Sequence, residues 1–199
     1  MKALGISGSP RIDGNTMLIT RHALNAMAEE GIQTELLSLS GLSILGCNSC
    51  LACKDEERCV LEDDLMPVYE KMKAADGIII STPVYFGSAT ALVKGLMERT
   101  GFIVRNNRGT FRGKVGGPLV VARRGGLTFT LAQMNFWFQT LEFYMTGVPR
   151  WNIAVGNAKG AVADDREGME GAWTLGKNLA FLMKAVHMAG GGWKHWSQP

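Results

Sequence analysis

Apolar and polar positions along this chain follow two alternating periods. Residues 2–7 (KALGIS) form a short apolar run with the character of a strand, ending in a turn that carries glycine and serine. Over 16–30 the apolar positions Met17, Leu18, Leu24, Met27 and Ala28 recur at helical spacing instead. The two patterns then keep exchanging: strands are predicted at 34–39, 77–82, 114–122 and 153–155, and helices at 63–75, 89–99, 131–145 and 169–188. The centre of 77–82 (GIIIST) is continuously apolar, as a strand covered on both faces requires. Asp63 and Asp64 fall in the first turn of the helix predicted at 63–75, where they complement its dipole, and Pro67 is tolerated near that turn.

Five strands separated by helices imply an α/β fold: a parallel sheet with helices on both faces, right-handed crossovers, and ligands bound at the C-terminal ends of the strands. No internal repeat or long linker divides the chain. Residues 1–189 therefore read as one domain with a cysteine loop inserted at 46–62, followed by a tail at 190–199. In the tail three glycines precede Trp193 and Trp196, two apolar anchors on a flexible segment. The helix at 131–145 is apolar on more than one face. Met134, Trp137, Phe138, Leu141 and Met145 form one stripe, while Phe136 and Phe143 lie elsewhere, so core packing and a subunit interface are both expected of it.

Composition removes several function classes. With 46% hydrophobic and 20% charged residues, the chain of 199 residues has the makings of a packed core. The formal charge of +3 is unclustered, and no basic stripe interleaves with aromatics, which argues against a nucleic-acid partner. The start MKALGISGSP lacks the apolar run of a secretory leader, and no stretch of 18 apolar residues occurs, which argues against a membrane partner. A cytoplasmic, reducing setting is expected.

The chemistry is concentrated in loops. All four cysteines, Cys47, Cys50, Cys53 and Cys59, fall in CNSCLACKDEERC, a C-x2-C-x2-C-x5-C spacing. Three close sulfurs and one slightly remote sulfur suit the corners of a cuboidal iron–sulfur cluster, and that reading leads. Zinc is an alternative, although four-cysteine zinc sites usually draw on two separated knuckles; redox-active thiols without metal are another. A disulfide framework does not suit a chain long enough to bury a core.

The turn after the first strand, SGSPRIDGNT (7–16), matches neither G-x-G-x-x-G nor the P-loop pattern. It nevertheless gathers the hydroxyls of Ser7, Ser9 and Thr16, the amide of Asn15 and the guanidinium of Arg11 at a helix N-terminus, with Gly8 and Gly14 allowing a tight turn. That assembly fits a terminal phosphate monoester. After the third strand, Pro83 to Gly87 stand where open α/β sheets bind ligands, and Tyr85 and Phe86 add flat apolar surface. A third loop, ARRGG (122–126), follows the fourth strand, and the three together suit a phosphate and a planar ring. His22, His187 and His195 read as structural or exposed, and no side chain is singled out as an acid or base.

These segments carry a resemblance that covers nearly the whole chain. SGSPRIDGNT (7–16), the cysteine motif with the following Glu62-Asp63-Asp64, TPVYFGSATALVKGLMERT (82–100), ARRGG (122–126) and VGNAKGAVADDREGMEGAWTLGKNL (155–179) resemble the flavodoxin-like NAD(P)H-dependent FMN reductase superfamily, specifically its iron–sulfur flavoprotein branch. The resemblance implies a flavodoxin-like three-layer sandwich with a five-stranded sheet in order 2-1-3-4-5, FMN at the strand ends, and a homodimer or homotetramer. It also implies a [4Fe–4S] cluster on Cys47, Cys50, Cys53 and Cys59, near the flavin of a partner subunit. Ser9, Arg11, Asn15 and Thr16 would grip the FMN phosphate. Pro83, Val84, Tyr85, Phe86 and Gly87 would line the isoalloxazine, with Arg124, Gly125 and Gly126 on the remaining side. The expected function is electron transfer from a ferredoxin-type donor or NAD(P)H to a small-molecule acceptor such as a quinone, oxygen or peroxide. The alternatives are a cluster-free NAD(P)H-dependent reductase of quinones or nitro or azo compounds, and a redox carrier or sensor without a substrate of its own.

Overall fold

Residues 1–107 and 109–190 are described by the computed structural model. Five strands, β1 (Lys2–Ser7), β2 (Gln33–Ser38), β3 (Gly77–Pro83), β4 (Val115–Ala122) and β5 (Ile153–Val155), alternate with five helices. The helices are α1 (Asn15–Glu29), α2 (Leu65–Ala74), α3 (Ala91–Asn106), α4 (Leu127–Thr140) and α5 (Arg166–Met188). Every strand pair is parallel and the order is β2-β1-β3-β4-β5, as the resemblance implies. In register, Ile6 of β1 stands between Leu37 of β2 and Ile80 of β3.

The two-residue period of the strands sorts their side chains between two cores. Ile78 and Ile80 join Leu4, Ile6 and Val120 on the face covered by α2, α3 and α4. Ile79 joins Ala3, Leu119 and Val121 beneath α1 and α5. Half-buried Cys53 and Cys59 pack against the first core, which places the cysteine loop on the α2–α3 face. On the opposite face α1 and α5 approach closely at Gly176, where an added Cβ would lie 2.2 Å from the Ala23 carbonyl oxygen and 2.8 Å from the Ala26 Cβ.

All five helices differ from their predicted bounds by at least one residue, and at three of them a local reason is visible. Helix α4 starts at Leu127, directly after Gly126 in the left-handed region, and ends at Thr140. Phe143 therefore lies beyond the helix, buried against Phe111, Trp137 and Phe138, while Phe136 is exposed on the helix surface. Helix α3 continues past Arg99 because Ile103 and Val104 keep its apolar face buried. Helix α2 begins only after Asp63 and Asp64, which corrects the expectation that they serve its first turn. The Asp64 carboxylate accepts the Ser43 N–H at 2.7 Å, and Asp63 is committed as described below. The tail with Trp193 and Trp196 lies outside the described residues. Among the described residues no helix is long and apolar enough to cross a membrane.

Gly176→Ala should lower stability by about 1–3 kcal/mol, because the new methyl meets backbone rather than a yielding side chain. Urea unfolding followed by circular dichroism measures the loss; unchanged stability would contradict the close approach of α1 and α5.

Candidate functional site

The loops after β1, β3, β4 and β5 border one open cleft of about 230 Å³. From the first loop Ser9, Arg11, Gly14, Asn15 and Thr16 line it. Gly14 is the N-cap of α1 and brings no side chain, so the first N–H groups of the helix keep their anion-binding capacity. The Ser9 hydroxyl accepts the Arg11 N–H at 3.0 Å, which shapes the turn. Asn15 also joins two of the loops. Its amide donates to the carbonyls of Gly156 at 3.1 Å and Ala158 at 2.8 Å, so the side chain ties the β1 loop to the β5 loop and leaves the backbone to face the cleft.

The β3 loop is a two-residue hairpin. Tyr85 and Ser88 exchange backbone hydrogen bonds at 2.9 and 3.1 Å, and the central Phe86 (φ 49°) and Gly87 (φ 79°) both lie in the left-handed region, as a type I′ turn requires. Pro83, Val84 and Tyr85 line the cleft, whereas Phe86 projects fully into solvent at the hairpin tip. Two contacts pin this loop: the Ser88 hydroxyl donates to Gln133 Oε1 at 3.0 Å, and the Thr90 hydroxyl donates to the Gly8 carbonyl at 2.8 Å.

In the β4 loop, Arg123 lines the cleft; Arg124, Gly125 and Gly126 are exposed beyond its wall. Gly126 instead acts as a spacer, since a Cβ there would lie 2.8 Å from Val84 Cγ1 and 3.0 Å from the Gly87 Cα. Gly156, Asn157 and Lys159 complete the lining from the β5 loop. Their signal was the glycine-bearing segment VGNAKG directly after the fifth strand.

A second recess, small at about 20 Å³ and partly open, is walled by Cys47, Cys50, Cys53 and Cys59 together with Arg99, Phe102 and Ile103 of α3. All four thiols are free; Cys50 is exposed and the others are half-buried. Ser49 (φ 57°) and Leu51 (φ 61°) adopt left-handed backbone, an unusual pair of turns that folds the two C-x-x-C steps back on themselves. Three sulfurs receive hydrogen bonds: Cys47 from the Ser49 N–H at 3.4 Å, Cys53 from the Asn106 amide at 3.3 Å, and Cys59 from Arg99 Nε at 3.2 Å. The loop backbone is anchored as well. Glu98 accepts the Cys47 N–H at 3.2 Å, and the Asn107 amide donates to the Cys53 carbonyl at 2.7 Å. Glu57, in the last gap of the motif, accepts the hydroxyls of Tyr69 at 2.7 Å and Thr110 at 2.6 Å and pairs with Lys73 at 2.9 Å. No group of three or more histidine, cysteine or carboxylate side chains among the described residues is placed to hold one metal ion.

Arg99, which sequence reasoning passed over as the end of a helix, is buried at the base of this recess. It forms an ion pair with the equally buried Asp63 and donates to the carbonyls of Leu45 and Leu61, both at 3.3 Å. Asp63 also accepts the N–H groups of Leu45 at 2.8 Å and Leu65 at 3.1 Å. Burial alone would push the Asp63 carboxyl up. The Arg99 guanidinium and the two backbone N–H groups outweigh it and hold the pKa below the ordinary carboxylate value.

Because the folded pKa of Asp63 is depressed, its contribution is complete above the unfolded value near about 4 and is lost as pH falls through the folded value. In chelator-treated protein, hydrogen-exchange protection of residues 42–64 should therefore hold at neutral pH and fall on acidification. Arg99→Met should remove that protection at neutral pH too, since a buried carboxylate left without its partner costs about 3–5 kcal/mol. Unaltered protection in the variant would contradict the assignment.

Residues 1–159 match the family model of NADPH-dependent FMN reductases. An iron–sulfur flavoprotein of Methanocaldococcus jannaschii is 41% identical over 198 residues, covering 94% of this chain and 99% of the relative. An iron–sulfur flavoprotein of Methanosarcina thermophila is 40% identical over 194 residues, covering 94% and 97%. Among solved structures, a flavodoxin from the domain Archaea superposes with a TM-score of 0.63 at 13% identity, covering 92% of this chain and 99% of that one, so the fold is flavodoxin-like. The chain thus belongs to the NADPH-dependent FMN reductase family, in its iron–sulfur flavoprotein branch, and is a flavin-dependent oxidoreductase.

Proposed function

We propose that this oxidoreductase is an electron-transfer protein that couples FMN, in the cleft at the strand ends, to a [4Fe–4S] cluster in the cysteine recess. The observation that carries the reading is the recess itself: four free thiols wall it, and N–H groups point at three of the sulfurs. A cuboidal cluster takes one thiolate at each corner, and three close sulfurs with one slightly remote, as the C-x2-C-x2-C-x5-C spacing supplies, suit those corners.

The residues of the cleft fit FMN. The uncapped N-terminus of α1, the hydroxyls of Ser9 and Thr16, the Asn15 backbone and the exposed Arg11 guanidinium supply donors for its phosphate. Pro83, Val84 and Tyr85 supply an apolar wall for the ring, with Phe86 and Gly87 turning the hairpin beside it. Arg123, Asn157 and Lys159 supply polar groups from the other loops, while Arg124, Gly125 and Gly126 carry the β4 loop into α4. When bound, FMN exchanges one or two electrons and the cluster one, so together they match one-electron to two-electron partners.

The protein's own contribution is position and electrostatics. His22 packs against Trp173 with ring centroids 4.9 Å apart, His187 is exposed near the end of α5, and neither lines the cleft or the recess. A ferredoxin-type protein or NAD(P)H is the donor in this reading, and a quinone, oxygen or peroxide the acceptor. The protein works as a homodimer or homotetramer in a reducing, cytoplasmic setting, which keeps four thiols available.

Anaerobically purified protein should contain about four iron and about four acid-labile sulfide per FMN. Full flavin without iron, and NAD(P)H turnover that survives replacement of the cysteines by serine, would overturn the coupling in favour of a simple reductase. Arg11→Ala should weaken FMN binding roughly tenfold, the loss of one charge-assisted hydrogen bond, as read by fluorescence titration of the apoprotein.

A further inference from the structure

The hydrogen bonds to the cysteine sulfurs are not equivalent. Cys47 and Cys53 receive neutral donors, a backbone N–H and an amide, whereas Cys59 receives a guanidinium. Cys50, the exposed corner, receives none among the described residues. Arginine stays protonated throughout the working pH range, so Arg99 sets a permanent positive charge 3.2 Å from one sulfur. That charge cannot swing away: Nη1 is held by Asp63 and the Leu45 carbonyl, and Nη2 by the Leu61 carbonyl. With the Arg99 and Asp63 side chains only 1% and 2% exposed, solvent screens the pair weakly.

Resting on the proposed cluster, we infer that Arg99 is a positioning residue that fixes the Cys59 corner and raises the cluster's reduction potential, with Asp63 trimming the effect. The physical reason is the sign of the charge. Adding an electron makes the cluster more negative, and a fixed cation beside one of its sulfurs stabilises that reduced form. A fixed carboxylate bound to the same cation partly offsets it. A hydrogen bond to a thiolate sulfur acts in the same direction as the cation. The two neighbours therefore push the potential in opposite directions, which a merely structural pair would not do.

The test uses full-length, anaerobically purified protein, with iron and sulfide counted first. The cluster is then titrated with dithionite and followed by electron paramagnetic resonance, with the flavin potential read alongside as an internal control. Asp63→Asn should raise the cluster potential and Arg99→Gln should lower it, while the flavin potential moves with neither. Shifts of the same sign, or no shift at full iron content, would overturn the role of Arg99 and leave the cluster reading standing. Wild-type protein without iron would overturn both. Should the single variants load iron poorly, Arg99→Lys keeps a cation against Asp63 while taking away the Nε–H aimed at Cys59. It should load iron and titrate below wild type because the donor to Cys59 is gone; a potential equal to wild type would overturn the inference.

Discussion

The cysteine segment depends on one buried ion pair. Its sequence, CNSCLACKDEERC, contains too little apolar surface to fold by burial alone. Arg99 and Asp63 provide what a hydrophobic core cannot. The guanidinium brackets the segment by holding the Leu45 carbonyl before it and the Leu61 carbonyl after it, and Asp63 fixes the exit into α2 through the Leu65 N–H. Two charges taken out of water are costly, and the cost is offset only because nearly every polar atom of both groups finds a partner. The same arrangement that closes the loop leaves one guanidinium nitrogen aimed at Cys59.

Helix α3 links this arrangement to the cleft. Its N-cap, Thr90, accepts the Val93 N–H at 3.4 Å and donates to the Gly8 carbonyl in the loop after β1. Further along, Glu98, Arg99, Asn106 and the neighbouring Asn107 all contact the cysteine loop. A helix of 16 residues spans about 24 Å, so a single rigid element positions both regions on one molecule. The sheet supplies the remaining order: its strand ends converge the four loops of the cleft, and its α2–α3 face supports the cysteine recess.

Much of this was legible in the sequence, for physical reasons. Strands buried on both faces leave continuous apolar runs such as GIIIST, and the β1 loop, which lines the cleft, is conspicuous because hydroxyls, glycines and an arginine rarely crowd a turn without a ligand. The strand order was legible only through family resemblance, because parallel crossovers leave no trace of which strands are neighbours. Arg99 was missed because a lone arginine in a helix ordinarily reads as surface. Its signal lay in the spacing: it falls between buried Leu96 and Ile103, on the apolar stripe of α3. Asp63 was read as a dipole partner because carboxylates before a helix usually are, and only its contacts to Leu45 and Arg99 across the loop assign it otherwise. Loop composition likewise could not decide between Arg123 and Arg124 at the cleft wall, since a turn of one residue exchanges them.

The most direct measurement is anomalous diffraction at the iron absorption edge from crystals grown and frozen without oxygen. The account predicts iron peaks confined to the recess on the α2–α3 face, one beside each of Cys47, Cys50, Cys53 and Cys59, with Arg99 still bound to Asp63 and Cys59. An iron-free recess, a single metal peak shared by the four sulfurs, or disulfides joining them would contradict it.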